Sequence, residues 1–517
     1  MRKTWKLLAL LLALLMLLPL VVACAQPEEE GEGNGEGTTA EVEETTTETE
    51  VITDKWGQVV IDNTELRSQD FNGKAIYIIC RDGAQYQREW FSDKPESALQ
   101  QEIYYRNLAV EEEINVKLNY NAVKSSDAEG CKALNTQIKN TGESGQGGID
   151  IVSHYAAYAS NASLMVYYKN WYSQDLKWLN LENPYWNQSF IENAEAFDRL
   201  FLCVGDVNLS VYDRSMVVFF NRKLATNDYA ERVGDIFQTV LDGDWTSEVM
   251  YTMIKDLHED GGTPEDETDD IYGLASIKGS EASDGMLYSW DAWLTETNED
   301  GTHQIVTGTK RTKLSNAFDQ MTKIWYQSNG AKLLSKSQVN FDFFTGGHAL
   351  FDIDVLYHYD SGKKQLDEMQ DEFGIIPLPK YDEDQTEYYT GVQDAHNVMS
   401  IMNNGMKSDF TAISAVLELL CAENYETVRP SYIETNIKGK FLSDANSVKC
   451  FELVLNGTRW DFADIYAKSV EGVRNKLWRA PFQKFNEGQS FTTAVGTYEE
   501  PLNTALTTLD QWLVSNY

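Results

Sequence analysis

The chain reads as an α/β protein with more than one domain, and two stretches carry that reading. From Lys74 to Ser153, short apolar runs alternate with amphipathic stretches in the order strand, helix, strand, helix, strand, which predicts a parallel sheet covered by helices. From Phe341 to Ser400 the chain carries a small-residue turn and apolar run centred on Phe343 to Asp352, then an acidic helical segment, the run Phe373 to Pro379, and a second apolar run from Thr390 to Ile401. That pattern predicts three short strands at a seam where two lobes meet. About 465 residues lie beyond the N-terminal tail, too many for one core and enough for two or three domains.

Taken in order, residues 1 to 23 place Arg2, Lys3 and Lys6 before an apolar run from Leu7 to Val22, the pattern of a secretory signal. The alternative is a retained anchor, but the run is short for a span of about 20 residues. Val21-Val22-Ala23-Cys24 resembles a bacterial lipobox, which implies a lipid on Cys24 and anchoring on the outer face of a membrane without a helix that crosses it. Residues 24 to 52 predict an acidic tether: from Ala25 to Glu50 there are ten glutamates and no Lys or Arg, so the segment has little to bury and repels itself. Its Gly alternation lacks the strand and helix that a phosphate loop needs.

The chain holds 43 basic and 81 acidic residues, a net charge of −38, which argues against nucleic acid and anionic membrane surfaces as partners. With Cys24 lipidated, Cys80, Cys131, Cys203, Cys421 and Cys450 remain, an odd and irregular set that describes neither a disulfide framework nor a zinc site. Most suit small buried positions, with one disulfide left open.

The predicted elements are a strand over Lys74 to Cys80, a helix over Glu96 to Ile114, a strand over Val116 to Tyr120, a helix over Cys131 to Lys139 and a strand over Gly148 to Ser153. In parallel sheets ligands sit beyond the carboxyl ends of the strands. That rule points to Arg81, Asp82 and Trp90 after the first strand, and to His154 and Tyr155 after the third.

A family resemblance rests on landmarks in order: Tyr105 to Glu111 leading into Asn115 to Leu118, Asp150 to Val152, Phe219 to Leu224, Asp244-Trp245-Thr246, Tyr272-Gly273-Leu274, Gly346 to Leu350 and Phe373 to Pro379. Together they resemble the family 1 extracellular solute-binding proteins of bacterial ABC importers, many of which bind sugars. Asn183-Pro184-Tyr185-Trp186 and Thr458 to Tyr466 look most like the longer, lipid-anchored members. The resemblance implies a periplasmic-binding-protein-like fold of two discontinuous α/β lobes joined by hinge strands around a ligand cleft. Carried onto this chain, lobe one covers 72 to 205 plus 393 to 445, and lobe two covers 206 to 392 plus 446 to 517. Leu200 to Val204 and Gln393 to Ile401 are strand-like runs at the expected hinge crossings, and Thr411 to Cys421 an apolar-rich helix after the second. Gly243-Asp244 replaces the prolines frequent in the family, but Thr246 still suits a helix cap. Some relatives carry a calcium-loop-like segment before Tyr-Gly-Leu; here Asp260 to Asp270 has carboxylates without the alternating spacing of such a loop, so calcium stands against a solvated acidic loop.

A sugar site needs aromatic rings for apolar C–H faces and carboxylates or amides for hydroxyls. Tyr288, Trp290, Asp291 and Trp293 lie where the resemblance implies sugar-contacting aromatics, although Trp290 and Trp293 at i, i+3 equally suit a buried helical face. Asp206, Tyr212, Asp213 and Arg214 follow the first crossing. Asp352, Asp354 and Tyr357 follow the Ala349 to Phe351 run, and Asp394 and His396 sit in the second crossing. His154 and His396 also fit satisfied structural histidines. The aromatic and acidic composition argues for a neutral or cationic ligand.

The resemblance implies a monomeric binding protein, not an enzyme, that captures a carbohydrate by lobe closure and passes it to an ABC permease, with no cofactor. A peptide or other polar solute keeps the fold and loses the sugar. A surface glycoside hydrolase is the enzymatic alternative, since two carboxylates suffice there.

Overall fold

The computed structural model describes residues 53, 58–92, 95–262, 269–335, 342–357, 369–434 and 445–515. The signal, the lipobox with Cys24 and the tether lie outside the described residues, as does most of the acidic segment before Phe373.

The first sheet has four strands. Strand β1 (Lys74–Arg81) lies between β2 (Val116–Val123) and β3 (Ile151–Tyr155), parallel to both, and β13 (Asn397–Ile401) adds antiparallel to β3. Helix α1 (Ala98–Ile114) connects the first two strands and α2 (Ala128–Ser144) the next. Both begin where the sequence supplies a cap. Ser97 accepts from the Gln100 amide while Gln100 reaches back to it, and Asp127 accepts from the Gly130 amide. α2 runs longer than the predicted Cys131 to Lys139, because its capped first turn lies ahead of the apolar positions, whereas α1 starts two residues later than predicted, at the Ser97 cap.

The second sheet has six strands: β4 (Met216–Asn221), β5 (His258–Glu259), β6 (Ile271–Ile277), β9 (Ala331–Leu334), β10 (Ala349–Val355) and β11 (Phe373–Ile376). Their order is β11-β4-β10-β6-β5, with β9 pairing β6; β6, β9 and β10 are parallel, and β4 runs antiparallel to β10 and β11. Every residue of β4 and β10 is buried, which explains their near-continuous apolar sequence. Two of the strands predicted from Phe341 to Ser400 therefore belong to this sheet and the third to the first sheet. Thr246 caps the following helix by accepting from the Val249 amide, as its sequence predicts.

Two small pairs complete the strands: β7 (Thr295–Thr297) with β8 (His303–Ile305), and β12 (Thr390–Gly391) parallel to β14 (Thr458–Arg459). Among the described residues no helix is long and apolar enough to cross a membrane. All five described cysteines are buried thiols without a disulfide.

Leu200 to Val204 is not a strand. It is apolar because it is buried on every side, and it pairs only where Cys203 and Met399 exchange backbone hydrogen bonds of 2.9 and 2.8 Å. The second crossing likewise becomes a strand only at Asn397, because Gln393 to His396 turns: the His396 amide donates to the Gln393 carbonyl. Further along, Ser215 bridges Val392 and the Gln393 amide donates to the Arg214 carbonyl at 2.8 Å. The two crossing segments thus run antiparallel, bonded to each other near both ends.

Candidate functional site

The topology turns one edge of each sheet toward these crossings. In the first sheet the carboxyl ends of β1 and β3, Arg81 and Tyr155, lie there, with Asn397 paired to Tyr155. In the second, Val355 ends β10 opposite Met216, which follows Arg214 and Ser215.

Between these edges lies an aromatic and guanidinium cluster. The Arg81 guanidinium sits 3.6 Å from the Tyr86 ring centre and 4.1 Å from that of Tyr155. Arg214 lies 4.1 Å from the Tyr357 ring centre and 5.7 Å from that of Tyr86, and it donates to the Tyr86 hydroxyl at 2.7 Å. Arg214 also donates to Gln393 Oε1 at 3.0 Å, and Gln393 Nε2 donates to Glu281 Oε1 at 2.6 Å. Burial and the nearby Asp354 push the Glu281 carboxyl above its ordinary pKa. Glu281 lies in the first turn of α3 (Ser280–Ser289).

Beside this cluster two arginines, Arg474 just before the π-helical turn Asn475–Arg479 and Arg479 at its end, gather three aspartates. Arg474 reaches Asp284 at 3.3 Å, Asp464 at 3.2 Å and Asp394 at 3.1 Å. Arg479 pairs with Asp284 and reaches Asp394 at 3.5 Å. Burial alone would raise the Asp394 carboxyl, but Arg474, Arg479 and His396 outweigh it and hold the group below its ordinary pKa. Asp464 is pushed up to about 6, since burial and Asp284 outweigh the arginines. A small cavity of about 10 Å³, room for about one water, is lined by Tyr288, Asp394, His396, Trp460, Asp464 and Arg474 among others.

His396 donates from Nδ1 to the Gln393 carbonyl at 2.9 Å, its Nε2 is buried without a partner, and burial pushes its pKa down to about 4. A neutral folded imidazole that titrates near 6.5 when unfolded contributes stability present above pH 6.5 and lost as pH falls through the folded value. His396→Gln is therefore expected to narrow the gap to wild type by about 2 kcal/mol between pH 7 and pH 5 in urea unfolding. A gap independent of pH would mean that the imidazole is not held neutral.

No family model matches the chain, and no curated protein does. Solved structures do match. The sugar-binding protein MalE from Xanthomonas citri superposes with a TM-score of 0.53 at 11% identity, over 86% of this chain and 100% of its own. The chain has the two-lobed solute-binding-protein fold. Also similar are the maltose/maltodextrin-binding domain MalE from Bdellovibrio bacteriovorus bound to maltotriose (TM-score 0.47, 14% identity, 84% of this chain and 99% of that one) and a cyclo/maltodextrin-binding protein complexed with maltotetraose (0.49, 12%, 86% and 98%).

Within this solute-binding fold, Tyr288, Asp394 and His396 come together around the small cavity. Asp206 and Tyr212 line a different one of about 230 Å³, with Trp186, Asn208, Arg429 and Thr458. There the Tyr212 hydroxyl donates to Asp206 at 2.9 Å and Arg429 reaches the same carboxylate at 3.5 Å. Trp90 and Trp290 are both 0% exposed, so neither offers a ring face to a solute: a ring of that size is the cheapest filler for the core behind each loop. Trp290 packs edge-on against Tyr381, so its helical spacing reports a buried face. Asp291 pairs with Lys313 at 3.1 Å and accepts from the Trp293 indole at 2.9 Å, a local arrangement at the end of α3. His154 is buried against Asn135 of α2 at 2.6 Å, and burial and Arg81 push its pKa down to about 3. Asp354 is buried in β10. Of the Asp260 to Asp270 loop, residues 263–268 lie outside the described residues; Asp270 accepts from the Gly261 amide and contacts His258 at 2.8 Å.

Sequence reasoning missed Tyr86, Gln393, Glu281, Asp284, Arg474 and Arg479 as members of the cluster. The arginine pair left little signal, because Asn475 and Lys476 stand between Arg474 and Arg479 and the segment reads as an ordinary basic turn.

Proposed function

We propose that the protein is an extracellular binding protein, held on the outer face of the membrane by lipid on Cys24, that captures a carbohydrate between its lobes and delivers it to an ABC permease. The reading rests chiefly on one observation: the strand ends of two separate sheets face each other across bonded crossing segments, with tyrosine rings and hydrogen-bonding side chains between them. Tyrosine faces suit the apolar C–H face of a sugar ring, and amides and guanidinium groups suit its hydroxyls. The Xanthomonas protein that shares the fold is itself a sugar-binding protein. Function follows from differential contact: a solute touching both lobes binds the closed form better and shifts the population toward it. The solute is bound and released unchanged, and the protein acts as a monomer.

The test is thermal shift of the full chain against mono- and oligosaccharides, peptides and calcium, with chromatography of the sugars afterwards. A ligand at about 100 times its Kd adds roughly 2.7 kcal/mol. A response to one glycan class with no product formed is the expected result. A response to peptides alone removes the carbohydrate, and a glycan that disappears makes the protein an enzyme.

A further inference from the structure

We propose, on the carbohydrate reading above, that the solute is acidic: an oligosaccharide containing a uronic acid whose carboxylate is bound by Arg81 and Arg214 beside Tyr86.

In a chain with a net charge of −38, arginines in and near the core have carboxylates in plenty to pair with, and several partly buried ones do. Arg88 pairs with Asp213 at 2.7 Å, Arg429 reaches Asp206, and Arg474 and Arg479 share three aspartates. Arg81, Arg106 and Arg214 differ, and of these Arg106 is saturated by neutral acceptors, the Glu89 and Trp90 carbonyls, Asn107 and Asn424, through Nε and both terminal nitrogens. Arg81 and Arg214 are 1% and 9% exposed, and among the described residues neither is in an ion pair. Arg81 donates to the carbonyls of Ser125 (3.2 Å) and Ala395 (2.8 Å) and to Asn397 Oδ1 (3.0 Å), all neutral acceptors. Arg214 donates to two neutral side chains, and its Nε is buried with no partner at all.

Both guanidinium groups lean on one ring, that of Tyr86. Two like charges held this close out of water repel each other, and a buried cation without a counter-charge is costly. An anion placed between them removes both penalties. The planar guanidinium fork matches a carboxylate in shape, which lysine would not. Several of the protein's own acids in the seam are engaged elsewhere: Asp394 and Asp284 with Arg474 and Arg479, and Glu281 with Ser280 and Gln393. The acidic composition that argued for a neutral or cationic solute is thus committed to other arginines. Tyr155 and Tyr357, each beside one of the two guanidinium groups that lack a carboxylate, supply ring faces for the sugar that carries one.

The experiment is calorimetric titration of the full chain with tetragalacturonate, a glucuronate-bearing xylotetraose, the carboxyl-reduced counterpart of each, and tetraglutamate. One uronate oligomer is expected to bind at least thirtyfold more tightly than its reduced counterpart, and to weaken severalfold between low and high salt. Arg214→Gln is expected to cut that preference at least tenfold, and Arg214→Lys to retain part of it, which separates lost recognition from lost folding. Reduced oligomers that bind within threefold of the acidic ones, or a preference that survives both Arg214→Gln and Arg81→Gln, overturn the acidic solute and leave the carbohydrate reading standing. Binding of tetraglutamate with no response to any saccharide overturns both.

Discussion

Replacing Arg474 with methionine is expected to destabilise the protein by about 3–5 kcal/mol, because it removes one of two cations from a buried charge cluster and leaves all three carboxylates behind. Asp464 suffers most: its side chain is 8% exposed and, among the described residues, it is bonded to Arg474 alone, with Oδ2 already lacking a partner. Asp284, which is 0% exposed, keeps Arg479. The deficit should depend on pH with a definite sign. Asp464 in the folded protein is already pushed up to about 6, and loss of Arg474 moves it higher. A carboxyl raised in the folded state contributes stability present at low pH and lost as pH rises through its folded value. Urea unfolding at pH 8 and pH 5 should therefore show the variant's deficit shrinking by at least about 1 kcal/mol at the lower pH. The same deficit at both would assign the effect to packing.

The second large effect is expected at Glu418, which is 1% exposed within helix α4 (Phe410–Glu423). Its carboxylate accepts from the Asn183 amide nitrogen (2.7 Å), the Tyr185 hydroxyl (2.5 Å), the Trp186 indole (3.0 Å) and the Asn180 backbone amide (3.1 Å). Glu418→Leu leaves these donors buried without an acceptor, and a loss of about 3–5 kcal/mol follows. Glu418→Gln keeps the shape but turns one acceptor toward donors as a donor, so its loss should fall between wild type and leucine. Near-ultraviolet circular dichroism should change with the leucine variant, because Trp186 packs edge-on against Trp171. Equal stability of the two variants would mean that the hydrogen bonds contribute little beyond volume.

These two sites mark what could be read in the sequence and what could not. The parallel order of β1, β2 and β3 and the cap at Thr246 were legible because each depends on neighbours within a few residues. Asn183 to Trp186 was noticed only as a family landmark, and its physical role is to clamp α4. A signal for that role was present: Glu418 is the one charge within the apolar run Ala412 to Ala422, and such a charge is either paired or costly. The cluster at the seam left less trace. Arg474 meets Asp394 across 80 residues and Arg214 meets Tyr86 across 128, so no local spacing records either contact. Tryptophans misled for a related reason. Composition counts rings but does not say which face of a loop they turn to, and Trp90 and Trp290 turned inward.

The hydrogen-bonded pairing of Cys203 with Met399 and of Arg214 with Gln393 has a thermodynamic consequence. A single flexible connector would let two bodies tumble through many relative orientations, and a captured solute would have to select one of them. Two antiparallel segments bonded near both ends resist torsion and sideways slip, so relative motion collapses toward a single bending coordinate. If the protein captures a solute as proposed above, little configurational entropy then remains to be lost, and more of the contact energy between solute and protein appears as affinity.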